Sequence, residues 1–245
     1  MRSAQPSKAP RAIFSVSRRL LARARFRLTA GRAPYAHVAL SFAQEGEDLI
    51  LRRYFEGRGP GTYVDVGAHH PWRFSNTYWF YVQGWSGLNI DATPGSMDAF
   101  RRARPRDRNV EAAVAGDART LTFFAFDDAA LNTFDPTAVE RAEAAGHRVV
   151  EKRELRTTTL AELLREHLPG AKIDFLSVDV EGFDADVLQS NDWDDYAPEI
   201  VLAETLGQTV AEVQASPISL LLGDRGYELI AKTANTAIYR RPEAP

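Results

Sequence analysis

The sequence predicts an α/β protein in which a mostly parallel β-sheet carries helices on both faces. Short apolar runs rich in β-formers alternate with segments of helical periodicity, which is the pattern of βαβ units. Several of these runs end at glycine or aspartate, as strands entering loops do. The chain has 245 residues, of which 44% are hydrophobic and 26% charged. This length and composition suit one large globular domain.

The predicted elements follow one another along the chain from residue 44 onward. The expected helices are 44–55, 76–82, 96–104, 136–145, 158–167, 181–189 and 217–222. The expected strands are 62–66, 87–90, 110–115, 121–126, 149–157, 173–178, 199–203, 227–231 and 236–239. The last two strands are joined by residues 233–235, so they should form a closing hairpin.

Charge divides the chain into two unlike parts. Residues 1–34 contain nine basic and no acidic side chains, so 21 basic and 33 acidic residues remain, a net charge of −12. We therefore expect a basic N-terminal extension, residues 1–36, and one folded domain, residues 37–245. An acidic body argues against nucleic acid as a partner. The absence of cysteine excludes disulfides and thiolate metal sites.

The extension has two interpretations. Within residues 11–28 apolar side chains share one broad helical face and four arginines lie opposite, which favours peripheral contact with an anionic membrane. The alternatives are a disordered basic terminus or a transit peptide. No run approaches 18 consecutive apolar residues, so the expected location is cytoplasmic, at the inner face of the membrane if the helix forms.

Candidate site residues, most of them polar, lie at or just after the ends of four predicted strands. Since parallel strands end at the same edge of a sheet, these residues should meet there. They are Asp65, Gly67, Ala68, His69 and His70 after one strand, Asp91 and Ala92 after the next, Asp117 after the third, and Asp179 and Glu181 after the most apolar strand.

This set of residues favours a cationic cofactor without phosphate. A dinucleotide site needs a glycine-rich GxGxxG turn, and residues 65–70 contain a single glycine. S-adenosylmethionine carries a sulfonium and an ammonium group, and carboxylates suit both its charge and its ribose hydroxyls. Asp65 and Asp91 stand where such carboxylates are needed. The structural alternatives are a cap for Asp65 and a turn residue before Pro94 for Asp91.

Eight segments together resemble the FkbM-type methyltransferase family, over about residues 41–204. They are SFAQEGED (41–48), YVDVGAHHP (63–71), SNTY (75–78), GWSGLNIDA (84–92), RPRD (104–107), TTTL (157–160), IDFLSVDVEG (173–182) and SNDW (190–193). The resemblance implies the Rossmann-like class I methyltransferase fold, with a seven-stranded sheet and one antiparallel strand near its edge. It also implies methylation of hydroxyl groups on sugars, glycans or macrolide products.

The expected function is O-methylation of a sugar or glycan hydroxyl with S-adenosylmethionine as methyl donor. The alternatives are a polyketide or lipid hydroxyl as acceptor, or a non-catalytic binding module. Expected cofactor-binding residues are Asp65, Gly67, Ala68, His69, Asp91, Ala92, Asp117 and Asp179.

Because an aliphatic hydroxyl is a weak nucleophile, a base should assist the transfer. Its candidates are His69, His70, Asp179 and Glu181. A divalent metal is not expected, although Asp179 and Glu181 would be its ligands. Trp72, Tyr78 and Trp85 are candidates for stacking on a sugar, and residues 132–134 for a substrate loop.

Overall fold

The computed structural model describes residues 38–205 and 208–242. Every element below belongs to one compact unit that begins at Ser41. The predicted extension, residues 1–36, lies outside the described residues. Among the helices that are described, none is long and apolar enough to cross a membrane.

The centre of the unit is a seven-stranded sheet with the order β3-β2-β1-β7-β8-β10-β9. Its strands are β1 (Thr62–Val66), β2 (Ser86–Asp91), β3 (Arg108–Glu111), β7 (Phe175–Val178), β8 (Ile200–Glu204), β9 (Glu228–Lys232) and β10 (Thr236–Arg240). All neighbours pair in parallel except β10, which is antiparallel to both β8 and β9. The predicted sheet, with one antiparallel strand near its edge from the terminal hairpin, is confirmed.

A second sheet of three strands has the order β4-β6-β5, with β4 (Ala113–Val114), β5 (Thr120–Phe126) and β6 (Val149–Thr158). The prediction of one strand over 110–115 is therefore wrong. The chain leaves β2 after Glu111, where the Ala112 amide donates to the Asp91 carbonyl at 3.0 Å, and Ala113 then pairs with Thr157 of β6. Strand β5 pairs with β6 antiparallel.

Helices cover both faces of the large sheet. They are α1 (Glu47–Tyr54), α2 (Tyr78–Val82), α3 (Met97–Ala103), α4 (Pro136–Ala144), α5 (Leu160–His167), α6 (Asp184–Gln189), α7 (Val210–Gln214) and α8 (Pro217–Gly223). Sequence reasoning missed α7, although Thr209 and Glu212 form a capping box that signals its start. Helix α6 begins three residues later than predicted. Glu181 and Gly182 have φ of 52° and 99°, a left-handed conformation that cannot continue into a right-handed helix.

Alternation along β1 divides the core between the two faces. Val64 and Val66 pack into a cluster with Leu160 and Leu164 of α5, while Tyr63 packs on the opposite face with aromatic residues of α2. This packing fixes the register of the parallel strands. As a result β1, β2, β7 and β8 all end at one edge of the sheet, which is the edge where the predicted site residues emerge.

Candidate active site

The loop after β1 runs against the end of β7. Gly67 has φ of 82°, and a Cβ atom built on it would lie 1.8 Å from the carbonyl oxygen of Asp179. Only glycine permits both the left-handed backbone and this close approach. Ala68 follows it and is buried against Met97 and Phe100. The sequence therefore brings the predicted residues of β1 and β7 into direct contact.

Asp91 at the end of β2 organises the turn around it. Its Oδ2 accepts a hydrogen bond from the His69 amide at 2.9 Å, and its Oδ1 accepts one from the Thr93 amide at 2.7 Å. The second bond is the turn interaction anticipated as the structural alternative. Each carboxylate oxygen has a second lone pair, so these two bonds leave acceptor capacity for a ligand. Ala92 follows it, half-buried.

Asp65 is buried and accepts a hydrogen bond from the Thr77 hydroxyl at 2.8 Å. Burial raises the pKa of Asp65 to about 6, while the positive charge of Arg104 opposes that rise. Asp65 therefore keeps its charge near neutral pH only at a cost in desolvation, which is common for carboxylates at functional sites.

A buried network that sequence reasoning missed supports Asp65 and Thr77. The fully buried Arg104 donates from Nε to Asp107 at 2.8 Å, and from Nη2 to the Tyr63 hydroxyl at 2.8 Å and to Thr77 Oγ1 at 3.0 Å. The Tyr63 hydroxyl in turn donates to Asp107. The RPRD segment carries part of the family resemblance, but the sequence does not indicate that Arg104 and Asp107 are buried. This network holds Thr77, which donates to Asp65, and so supports the end of β1.

The two histidines have different surroundings. His69 has φ of 51°, and its Nε2 is buried without a hydrogen-bond partner among the described residues. Burial lowers the pKa of His69, so its imidazole is neutral near pH 7. The Nδ1 atom of His70 instead accepts hydrogen bonds from the amides of Trp72 and Arg73, at 3.3 and 3.2 Å. His70 thus holds a turn, and His69 offers a buried polar atom to a ligand.

Carboxylates from two strand ends form a cluster. Oxygen atoms of Asp179, Glu181 and Glu204 lie within 4.8 Å of one another. Sequence reasoning missed Glu204, which ends β8 and is brought to the other two only by the sheet order. Enclosure by protein, reinforced by repulsion between like charges, raises the pKa of all three groups. Hard oxygen ligands at this spacing suit a divalent cation as well as proton transfer.

A cleft of about 20 Å³, room for one water-sized group, opens beside this cluster. Asp179 lines the cleft and is exposed to solvent. Eight of the nine residues lining the cleft are polar, and the exception is Phe74. The lining consists of Gln44, Glu45, Glu47, Phe74, Asn76, Asp179, Glu204, Asn235 and Thr236.

The other predicted residues have structural contacts. Asp117 is exposed and pairs with Arg119 at 2.9 Å, apart from the other site residues. Tyr78 and Trp85 pack on a core cluster, whereas Trp72 is exposed.

In the predicted substrate loop, three successive residues support neighbouring segments. Asn132 bonds to Phe126 and Thr93, Thr133 donates to the Glu181 carbonyl at 2.9 Å, and Phe134 packs between Phe123 and Phe183. These residues support the Glu181 turn from outside.

Fold and edge chemistry together define a class I methyltransferase that uses S-adenosylmethionine. A family model described as "Methyltransferase FkbM domain" matches residues 65–229, more than half of the chain. The chain belongs to the FkbM methyltransferase family. No curated protein matches the sequence.

Solved structures of methyltransferases are similar to this chain at low sequence identity. A methyltransferase FkbM from Methylobacillus flagellatus has a TM-score of 0.50 and 11% identity, over 81% of this chain and 48% of that chain. A TehB-like SAM-dependent methyltransferase from Corynebacterium glutamicum has a TM-score of 0.41 and 11% identity, over 93% and 99%. An O-methyltransferase from Bacillus cereus in complex with SAH has 0.42 and 10%, over 87% and 86%.

The residues present fit S-adenosylmethionine. Carboxylates of Asp65, Asp91 and Asp179 stand at the edge, and His69 Nε2 is buried without a hydrogen-bond partner among the described residues. This is the chemistry that a cation with ribose hydroxyls and no phosphate requires. The protein is an S-adenosylmethionine-dependent methyltransferase, and the non-catalytic alternative is set aside.

Proposed function

We propose that the protein methylates a hydroxyl group of a sugar or glycan. The polar cleft beside the donor edge is the observation that carries this proposal. A polyketide or lipid acceptor would need an apolar lining, because burying polar side chains against hydrocarbon is costly. The cleft instead offers amide and carboxylate groups, and Phe74 is its one apolar side chain. Asn76 already donates to Ser177, and Asn235 to Glu45. A single hydroxyl group fits the cleft and would donate to one of its carboxylates.

We assign the carboxyl ends of β1 and β2 as the binding site of the methyl donor. S-adenosylmethionine supplies a methyl group already activated by its positive sulfur. Asp91, with spare acceptor capacity, would hold ribose hydroxyls, and Gly67, Ala68, His69 and Ala92 would line the same edge. Asp65 and Asp179 would provide the negative field that favours a cation. The assignment of Asp117 to the cofactor site rests only on its position in the sequence.

For the acceptor, we assign Asp179 as the group that takes the hydroxyl proton while the oxygen gains the methyl group. It is exposed at the cleft, whereas Glu181 and Glu204 are half-buried beside it. A raised pKa brings this carboxyl closer to that of an effective base near neutral pH. His69 lines a cavity together with Thr93 of the β2–α3 loop. We therefore assign His69 to contact with the methyl donor. His70 is committed to its turn.

The cellular setting is proposed from the sequence alone. A cytoplasmic enzyme held at the inner face of the membrane by residues 11–28 would work beside glycan precursors assembled there. Deletion of residues 1–36 should move the protein from the membrane fraction to the supernatant. Unchanged partitioning would contradict this role.

Transfer of a labelled methyl group to separated extracts tests the proposed acceptor. We expect label in the glycan fraction, with a mass increase of one methylene on a sugar hydroxyl. Asp91→Asn should weaken donor binding in calorimetry, and Asp224→Asn, an exposed carboxylate at the end of α8, serves as the matched control. Label confined to lipid or small-molecule fractions would overturn the sugar assignment while leaving the methyltransferase class intact.

A further inference from the structure

Residues 71–75, here called the aromatic loop, present two aromatic side chains to solvent. Trp72 and Phe74 are 48% and 43% exposed, while Pro71 and Ser75 at the ends of the loop are buried. Arg104 Nη1 donates to the Pro71 carbonyl and to Ser75 Oγ, both at 3.4 Å. The His70 imidazole also accepts from two amides within the loop. The exposed rings therefore stand on a loop tied at both ends.

Phe74 occupies a strained backbone conformation. Its φ is 58°, a left-handed value that is unfavourable for a bulky side chain. Among the described non-glycine residues, positive φ occurs at His69, Phe74 and Glu181, all at the same edge of the sheet. Strain of this kind concentrates at functional sites. The Phe74 ring belongs to none of the core clusters formed by the described residues, and the Arg73 guanidinium lies 4.5 Å from its centroid.

The position of the ring shows what it can contact. Phe74 lines the polar cleft together with Asn76, Asp179 and Asn235, whereas Trp72 on the same loop does not. Asn76 is held in place because its Nδ2 donates to Ser177 Oγ at 3.0 Å. One aromatic face among amides and a carboxylate complements a pyranose, which has an apolar C–H face and a rim of hydroxyls.

We infer that Phe74 is a specificity-determining residue that stacks against the ring of the sugar acceptor. This inference rests on the proposed function, since it names the contact by which the same cleft selects a carbohydrate. The polar groups would fix which hydroxyl approaches Asp179, and the aromatic face would fix which side of the ring lies down. An acyclic or fully apolar acceptor would make no use of this arrangement.

The test compares Phe74→Leu, which keeps apolar bulk without an aromatic face, with Phe74→Tyr, which keeps the face. Leu220→Ala, at a 62% exposed residue of α8, is the control for loss of exposed apolar surface. Binding is measured on the full chain by saturation-transfer NMR with methyl glycosides of glucose, galactose, mannose and rhamnose as probes. Kinetics use, as acceptor, the unmethylated form of the glycan that the wild type methylates, and calorimetry measures S-adenosylmethionine binding.

We expect Phe74→Leu to raise KM for the acceptor about tenfold, the effect of losing one good aromatic contact. Donor affinity and kcat should stay within about twofold, and Phe74→Tyr should restore KM. The saturation transfer to sugar C–H protons should decrease in the leucine variant. If that variant does not fold, Phe74→Gly, which suits the positive φ, takes its place.

Equal KM and equal saturation transfer in wild type and Phe74→Leu would overturn the inference while sugar methylation stands. Methyl transfer by the wild type to lipid alone would overturn the proposed function and this inference together. The two failures are thus told apart by the wild-type acceptor.

Discussion

Replacing the buried Asp65 by asparagine should stabilise the protein at neutral pH. The pKa of Asp65 rises from 3.8 to about 6, mainly by burial. The folded protein therefore binds more protons than the unfolded chain between about pH 4 and 6, so stability falls as pH rises through that range. This rise in pKa corresponds to roughly 3 kcal/mol of unfolding free energy, which is lost above pH 6. Asparagine is uncharged and can still accept the Thr77 hydrogen bond.

Urea unfolding of wild type and Asp65→Asn at about pH 4 and pH 7.5 measures this difference. The variant should be more stable by up to about 3 kcal/mol at the higher pH, and the two should converge at the lower. Asp224→Asn should show no such pH-dependent gain. The same Asp65→Asn protein should bind S-adenosylmethionine about tenfold more weakly, because it has lost a negative charge. A variant that is less stable at pH 7.5, or a difference that ignores pH, would refute this account.

Three further experiments test other parts of the structure. Arg104→Met should cost about 3–5 kcal/mol of unfolding free energy, because it leaves the buried Asp107 carboxylate without its counter-charge. Adding Asp107→Asn should recover part of the loss, and additive effects in urea titrations would contradict the pairing. Gly67→Ala should lower the unfolding free energy by about 3 kcal/mol or more, because the added Cβ would lie 1.8 Å from the Asp179 carbonyl oxygen. An unchanged melting temperature would show that this close approach is absent. Phe74→Gly should be more stable than Phe74→Ala by about 0.5–1 kcal/mol in thermal unfolding, because glycine suits the positive φ. At most positions alanine is the more stable of the two, and finding that order here would argue against a positive φ.

Local pattern was sufficient for most elements because strand and helix periodicities depend on near neighbours in the chain. It failed where backbone conformation changes abruptly. The run at 110–115 is apolar except for Glu111, yet β3 and β4 belong to different sheets because the chain turns away after that residue. The helix predicted from Glu181 starts at Asp184, since positive φ at Glu181 and Gly182 is a consequence of packing against the end of β1 and the Thr133 segment.

The sequence by itself determined the α/β class, the methyltransferase family and the strand ends that carry Asp65, Asp91 and Asp179. Parallel connections place such ends at one edge whatever the details of packing, which is why they could be foreseen. Only the tertiary structure decided the partners of these groups. Glu204 joins Asp179 through the pairing of β7 with β8, and Arg104 reaches Thr77 across 27 residues of chain. Phe74 lines the cleft from a loop in which its own φ is positive. Such contacts depend on strand register and loop conformation, which the whole packed unit determines and no short segment encodes.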